Sequence, residues 1–404
     1  MKYVILLGDG MADGKVAELD GKTPLQYADT PHLDFLAANG EMGTARTVPE
    51  GFPPGSDVAN LSVMGYDPKE YYTGRSPLEA VSMGIALDDN DVAFRCNLVT
   101  LSEEGKFEEK TMLDYSSDEI TTPEAGELIG EVNARLGSEE MRFYAGISYR
   151  HLLVWKGGPS GGVLTPPHDI SGRVITRYLP QGEGADTLIN FMKESNKFLS
   201  GQPINQKRVE AGLKPATSVW FWGQGIRPAI PKFYDKYRLT GSVISAVDLI
   251  KGLGICAGLD VVEVEGATGN IHTNFRGKAL AALDELKKGK DFVYIHVEAP
   301  DEAGHRGELD NKVKAIEEVD KMLGQLLEGL NQFESYKIMV LPDHPTPMST
   351  RTHSSNPVPF VIYTKGQENK NENATYDEEA AVKSNFMILS GHELMDYFIS
   401  LTAC

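Results

Sequence analysis

The chain has 404 residues, with 39 Lys and Arg against 58 Asp and Glu, giving a formal net charge of −19. Its 41% hydrophobic and 24% charged residues describe a folded protein rather than a disordered one, and the length suits two domains or one with a large insertion. A surface this acidic repels phosphate backbones and anionic lipid, which argues against nucleic acid or membrane as main partner; an anionic metabolite would need local arginines or bound cations.

At the N-terminus, Val4, Ile5, Leu6 and Leu7 are too few for a signal-peptide core, and no small-residue cleavage site follows. No apolar run approaches the ~18 residues needed to span a bilayer. Cys96, Cys256 and Cys404 are odd in number and far apart, which argues against a disulfide scaffold or a thiolate metal site and fits a reducing cytoplasm. A cytoplasmic enzyme is the expectation. Short apolar runs at 3–7, 218–222, 261–264, 292–297, 338–341 and 360–363 alternate with helical patterns, so an α/β fold on a mostly parallel sheet is predicted. Several runs are almost wholly apolar, as in strands buried on both faces. Val313, Ile316, Val319, Met322, Leu323, Leu326, Leu327 and Leu330 recur at steps of three and four and predict a helix over 311–330. Another is predicted at 276–288, ended by Lys287, Lys288 and Gly289.

Residues 90–215 read differently, with mixed strand and helix signals, Gly/Pro-rich turns (157–162, Pro166-Pro167) and a polar helix over 123–136. They are expected to form a smaller α+β domain inserted into a discontinuous main domain, 1–89 with 216–404. The polar stretch 365–375 reads as an exposed loop. Three weak motifs are set aside. Gly158-Pro-Ser-Gly-Gly162 has the letters of a nucleophile elbow, but glycines and prolines follow where a helix is required. Gly21-Lys22-Thr23 ends like a P-loop, yet the first glycine of that motif falls on Val16. Gly252-Leu-Gly254 lacks the third glycine of a dinucleotide loop and follows a helical pattern.

The residues that carry chemistry follow predicted strands. The first strand runs into Gly8-Asp9-Gly10, the strand at 292–297 into Glu298-Ala-Pro-Asp301-Glu-Ala-Gly-His305, and that at 338–341 into Pro342-Asp343-His344, with His353 nine residues on. Imidazole with carboxylate is a ligand set for Zn²⁺ and Mn²⁺, and two sets together make a two-metal site for phosphoryl chemistry. Single Asp residues at strand ends are often only helix caps. Five Asp and His residues from three strand ends are harder to explain that way. His296 lies on the alternate face of its strand and reads as a core or supporting residue; His32 and His392 receive no role. Ser56, after the stiff Pro53-Pro54-Gly55 turn and before an apolar stretch, is either a helix N-cap or a serine presented to an anion, or both.

With these residues in hand, the chain resembles the archaeal-type cofactor-independent phosphoglycerate mutases of the alkaline phosphatase superfamily. The likeness runs nearly end to end, through Leu7-Gly-Asp-Gly-Met11, Gly55-Ser-Asp-Val-Ala-Asn-Leu61, Gly65-Tyr-Asp-Pro68, Gly74-Arg75, Phe94-Arg-Cys-Asn97, Tyr149-Arg-His-Leu152, His168-Asp169, Val297-Glu-Ala-Pro-Asp-Glu-Ala-Gly-His305 and His353-Ser-Ser-Asn-Pro-Val-Pro359. It implies an alkaline-phosphatase-like three-layer sandwich and two divalent metal ions, Mn²⁺ or Zn²⁺ or, less suited, Mg²⁺. One ion would be held by Asp301, His305 and His353, the other by Asp9, Asp343, His344 and the oxygen of Ser56, the nucleophile. Arg150, His151, His168, Asp169 and Arg173 fall where such enzymes bind the organic acid; Arg75 and Arg95 are further candidates, and Lys251 is a looser match.

The activity the resemblance implies is interconversion of 3- and 2-phosphoglycerate without 2,3-bisphosphoglycerate. The phosphoryl group would pass through phosphoserine at Ser56, with the inserted domain closing over the site to exclude water. The only partner implied is a small phosphorylated hydroxy acid; oligomeric state is left open. Gly55-Ser-Asp-Val-Ala-Asn-Leu-Ser62 and Gly74-Arg-Ser-Pro-Leu-Glu79 also look like a bacterial branch proposed to phosphorylate homoserine, so a homoserine kinase-like activity or a metal-dependent phosphatase are the alternatives. The Cys-x-Pro-x-Arg motif of sulfatases is absent.

Overall fold

A computed structural model describes residues 1–103, 105–368 and 374–400; Cys404 and part of the polar stretch 365–375 lie outside them. The chain divides into two compact units, Met1–Tyr72 with Ala229–Cys404, and Thr73–Pro228.

In the first unit the apolar runs pair into an eight-stranded sheet, in the order Met387–Ile388, Glu41–Ala45, Val358–Thr364, Tyr336–Leu341, Lys2–Gly8, Phe292–Val297, Gly241–Ile244 and Asp260–Val261. All neighbours are parallel except those of Val358–Thr364, which is antiparallel on both sides. Leu7 stands opposite both His296 and Leu341. This register puts the segments after the three central strands at one carboxyl edge, where open α/β sheets bind ligands. The antiparallel strand begins at that same edge, so the segment carrying His353 is delivered there too.

Strand alternation divides the core. Val4, Leu6, Val293, Ile295, Ile338 and Val340 face helices Pro31–Asn39, Phe275–Lys287 and Leu309–Leu330, whose stripe (Ile316, Val319, Met322, Leu323, Leu326, Leu330) is buried against them. On the opposite face Phe292 stacks on Phe233, ring centroids 4.6 Å apart, and Tyr294 reaches helix Ser56–Val63 through a 2.6 Å hydrogen bond to Asn60 Oδ1. Helix Asp248–Ala257 also lies there, and a Cβ on Gly254 would fall 2.5 Å from Val243. Gly254 is thus a packing residue. The result is the three-layer arrangement expected. Among the described residues no helix is long and apolar enough to cross a membrane.

The second unit has its own five-stranded sheet. Val92–Leu101 is central, flanked by antiparallel Arg150–Trp155 and Ser218–Ile226, with Met112–Asp114 and Met141–Tyr144 outside. Phe94, Cys96, Leu98 and Phe221 join Leu128, Val132, Phe191 and Met192 of helices Thr122–Leu136 and Ala185–Leu199 in a core of their own. This unit extends beyond the expected 90–215 at both ends. The run at 218–222, expected in the main sheet, instead pairs with Val92–Leu101, and helix Ser76–Ser82 is tied to that strand by the Ser76 hydroxyl donating to Gly223 O. The strand expected at 261–264 is only Asp260–Val261.

Candidate active site

The strand register assembles a cluster within the first unit, of buried acids and of imidazoles that range from the buried His344 to the exposed His305. Asp9 follows Lys2–Gly8 and is 1% exposed. Gly10 must be glycine: its φ is +65°, and a Cβ there would sit 2.7 Å from Asp301 Cα. Asp301 and His305 lie one turn apart on helix Ala299–Arg306, which presents them on one face. His305 Nε2 is 3.3 Å from Asp301 Oδ2, His353 Nε2 is 3.4 Å from Asp301 Oδ1, and the two Nε2 atoms are 2.8 Å apart. Beside them, His344 Nε2 lies 3.1 Å from Ser56 Oγ, 3.6 Å from Asp9 Oδ1 and 3.5 Å from Asp343 Oδ2. The His344 and His353 rings are 4.0 Å apart and join the two sets.

Ser56 opens helix Ser56–Val63, with Gly55 as its N-cap, so the serine is the first helical residue and not the cap. Ser62 on the same helix is fully buried, and its hydroxyl has no hydrogen-bond partner among the described residues. Two residues the sequence reading missed support the cluster. Asn60 Nδ2 donates to Asp343 Oδ2 and to Ser56 O, both at 2.8 Å. The Thr346 hydroxyl donates a short hydrogen bond to Asp301 Oδ1 and lies 3.4 Å from His344 Nδ1.

The hydrogen bonds favour cations. Carbonyl oxygens only accept, so His305 Nδ1–H is directed at Arg351 O (2.9 Å) and His353 Nδ1–H at Pro54 O (3.4 Å). Thr346 has one proton, given to Asp301, so it accepts from His344 Nδ1–H. In their neutral forms all three imidazoles therefore turn Nε2 lone pairs inward, the tautomer a metal requires. Asp9 Oδ1 is buried and has no hydrogen-bond partner among the described residues. Among the described residues only histidines pair with Asp9, Asp301 and Asp343, so three buried carboxylates lack a matching Lys or Arg charge. Divalent ions fit this N/O donor set. Ligand atoms of Asp301, His344 and His353 lie within 4.8 Å of one another, as do those of Asp9, His296 and Asp343.

Burial, then the charges of Asp343 and Asp301, hold the Asp9 carboxyl well above its ordinary range. Burial acts the same way on Asp301, but hydrogen bonds from His305 and His353 outweigh it and hold that carboxyl well below. For His305, burial is outweighed by the hydrogen bond and charge of Asp301, which raise it to about 9. A cation at His305 must therefore displace a proton below that pH. Were Asp301, His305 and His353 to hold a divalent ion, its affinity would be expected to rise by up to about tenfold per pH unit from pH 6.5 towards 9. Calorimetric titrations at several pH values, in buffers of different ionisation enthalpy, would count the proton released; uptake independent of pH would contradict this.

The second unit holds a separate basic cluster. On strand Val92–Leu101 the residues that alternate with Phe94 and Cys96 are Arg95 and Asn97. The Arg95 guanidinium lies 4.7 Å from the Trp222 ring and makes a two-pronged bond with Glu79, its Nε 2.8 Å from Oε2; Arg75 Nε is 3.5 Å from Glu79 Oε1. His168 meets Trp222 edge-on at 5.2 Å and Tyr115 at 6.0 Å, and Arg150 rests on Tyr149 at 4.9 Å. Burial would raise Glu79, yet Arg95, Arg75 and Arg150 outweigh it and lower its carboxyl. Burial chiefly lowers His168, and the same three arginines add to that against Asp169.

Four expected residues behave differently. His151 points into the core at 1% exposure and accepts from Gly146 N–H at 3.0 Å; burial pushes it down to about 3. Strand alternation accounts for this, since Arg150 takes the other face. Asp169 is exposed, 3.6 Å from His168 Nε2. Arg173 is exposed and donates to the Tyr178 hydroxyl at 3.3 Å. Lys251 belongs to the first unit, where Nζ pairs with Glu263 at 2.7 and 2.9 Å.

A family profile for 2,3-bisphosphoglycerate-independent phosphoglycerate mutase matches residues 37–205, and one for type I phosphodiesterase / nucleotide pyrophosphatase matches residues 177–356. A probable 2,3-bisphosphoglycerate-independent phosphoglycerate mutase of Geobacter sulfurreducens is 52% identical over 99% of this chain and 100% of its own length. The Methanosarcina barkeri enzyme of that name is 49% identical over 99% of both chains. The chain belongs to the 2,3-bisphosphoglycerate-independent phosphoglycerate mutases. The fold of this mutase-family chain is also that of a solved protein from Pyrococcus horikoshii, with TM-score 0.83 and 30% identity over 99% of this chain and 97% of that one. The cofactor-independent phosphoglycerate mutase of Thermoplasma acidophilum aligns over 100% of both chains with TM-score 0.66 and 27% identity. In this mutase-family chain Glu79 was the most readable of the missed residues, because it stands four after Arg75 on a helix.

Proposed function

We propose that the chain interconverts 3-phosphoglycerate and 2-phosphoglycerate without 2,3-bisphosphoglycerate, by way of phosphoserine at Ser56. The observation that carries this reading is Ser56 Oγ, 3.1 Å from His344 Nε2 at the first turn of a helix and among buried acids and imidazoles. Asp301, His305 and His353 would hold one divalent cation and Asp9, Asp343, His344 and Ser56 the other; when bound, such ions neutralise phosphoryl oxygens and make a serine hydroxyl acidic enough to attack.

Ser56 Oγ forms a bond to phosphorus as the bond from phosphorus to substrate O3 breaks, and the proton lost by the serine ends on the departing glycerate oxygen. Glycerate O2 then attacks the phosphoserine, its proton passes to Ser56, and 2-phosphoglycerate is formed. The N-terminal end of helix Ser56–Val63 favours the phosphoryl oxygens. Arg75, Arg95 and Arg150 are the carboxylate-binding groups, since all three guanidiniums lie close enough to one carboxylate, Glu79, to lower it together.

An enolase-coupled assay without 2,3-bisphosphoglycerate tests the reaction, and turnover is expected. Inorganic phosphate released without isomerisation, or phosphorylation of homoserine from a nucleotide, would overturn it. Arg150→Ala is expected to raise KM for phosphoglycerate roughly tenfold or more, the worth of one charged hydrogen bond, with little change in melting temperature. An unchanged KM would remove Arg150 from the carboxylate site.

A further inference from the structure

The Asp9 carboxylate is used unequally. Oδ2 lies 2.9 Å from His296 Nε2, while Oδ1 is buried with no hydrogen-bond partner, 3.6 Å from His344 Nε2. His296 is wholly buried on Phe292–Val297. The parallel register places Ile244 opposite Ile295, so Ser245 follows beside His296, its Oγ 3.3 Å from His296 Nδ1. Ser245 Oγ in turn accepts the Val247 N–H at 3.0 Å. The main chain is held as well, because the buried Lys278 donates to His296 O at 3.0 Å.

We infer that His296 is a positioning residue for the cation site of Asp9, Asp343, His344 and Ser56: it ties down Asp9 Oδ2 and leaves Oδ1 as the oxygen offered to the ion. The inference rests on the two-cation reading above. An ionised carboxylate only accepts, so the shared proton sits on His296 Nε2. Nδ1 is then an acceptor, filled by the Ser245 hydroxyl, whose own lone pair takes the Val247 N–H. Each group in the chain has one role, and no imidazole lone pair is left for a cation. His296 therefore acts through Asp9 rather than as a ligand, although its nitrogen lies within 4.8 Å of the Asp9 and Asp343 oxygens. Partners of this kind fix the orientation of a ligand, and their loss typically weakens metal binding about 10–100-fold.

The test is titration of the metal-free full chain with Mn²⁺, followed by calorimetry and by the electron paramagnetic resonance signal of free Mn²⁺. The wild type is expected to take up two ions. In His296→Asn the shorter amide stands where Nδ1 stood and cannot reach Asp9; one site should weaken about 10–100-fold while the other is unchanged. In His296→Gln the amide nitrogen takes the place of Nε2 and should restore most of that affinity. A merely structural role would lower both sites together and give no rescue by Gln. Ser245→Ala, a smaller change that leaves the imidazole in place, should weaken the same site and carries the test if the Asn variant does not fold. Two wild-type-like sites in both His296→Asn and Ser245→Ala would overturn the positioning role alone. Loss of one whole equivalent in both His296 variants would make His296 a ligand and overturn it too. A wild type that binds no Mn²⁺ would overturn the two-cation reading along with it.

Discussion

Ser56→Ala is expected to leave a folded protein with no measurable mutase turnover, a loss of at least about 10⁴-fold on the scale of other nucleophile deletions. The reason is chemical rather than structural. Ser56 donates no helix cap, because Gly55 occupies that position, and the hydrogen bond from Asn60 goes to the Ser56 carbonyl, which alanine retains. Only the oxygen beside His344 disappears. Phosphate incorporation should vanish with it: folded wild type mixed with phosphoglycerate labelled in its phosphoryl group and then denatured to trap the intermediate should carry label on Ser56, and the variant should carry none. Substantial residual turnover would require another nucleophile, and Ser62, buried on the same helix, is poorly placed to supply it.

Stripping divalent ions with a chelator is expected to abolish turnover and to lower the melting temperature, and added Mn²⁺ or Zn²⁺ should restore both. Asp9, Asp301 and Asp343 bring three carboxylates into an interior where, among the described residues, their only ion-pair partners are imidazoles. Without positive charge they are buried and mutually repelling, and burial first, then the charges of Asp343 and Asp301, drive Asp9 well up. A ligand present at 1,000 times its Kd stabilises by about 4 kcal/mol. Two such sites therefore make a large share of the roughly 5–15 kcal/mol by which folded proteins are stable. Differential scanning calorimetry with and without metal measures this directly; equal melting temperatures and equal turnover after verified metal removal would refute metal dependence.

The residues at the centre of the site were readable because their signals are local. Asp9, Asp301, Asp343 and His344 each follow an almost wholly apolar run, and such runs pair in parallel with their following loops at one edge. His305 stands four residues after Asp301, which on a helix means the same face. The long stripe from Ile316 to Leu330 and the stop at Gly289 were equally local, and the helices end within about two residues of the expected positions.

What the chain pattern left open was which partner each element meets. The run at 218–222 looks like any buried strand, and only its pairing with Val92–Leu101 assigns it to the second unit. Arg150 and His151 are adjacent, and alternation guarantees that they part; which one faces the core depends on where helices Thr122–Leu136 and Ala185–Leu199 pack. Asn60 meets Asp343 across 283 positions, and Ser245 meets His296 across 51. Composition and spacing thus set the type of each element and which side chains share its face, because those depend on backbone geometry over a few residues. The neighbours that orient Asp9, Asp301 and Asp343 were set by the packing of distant segments, an energy of the whole fold that no short stretch of sequence contains.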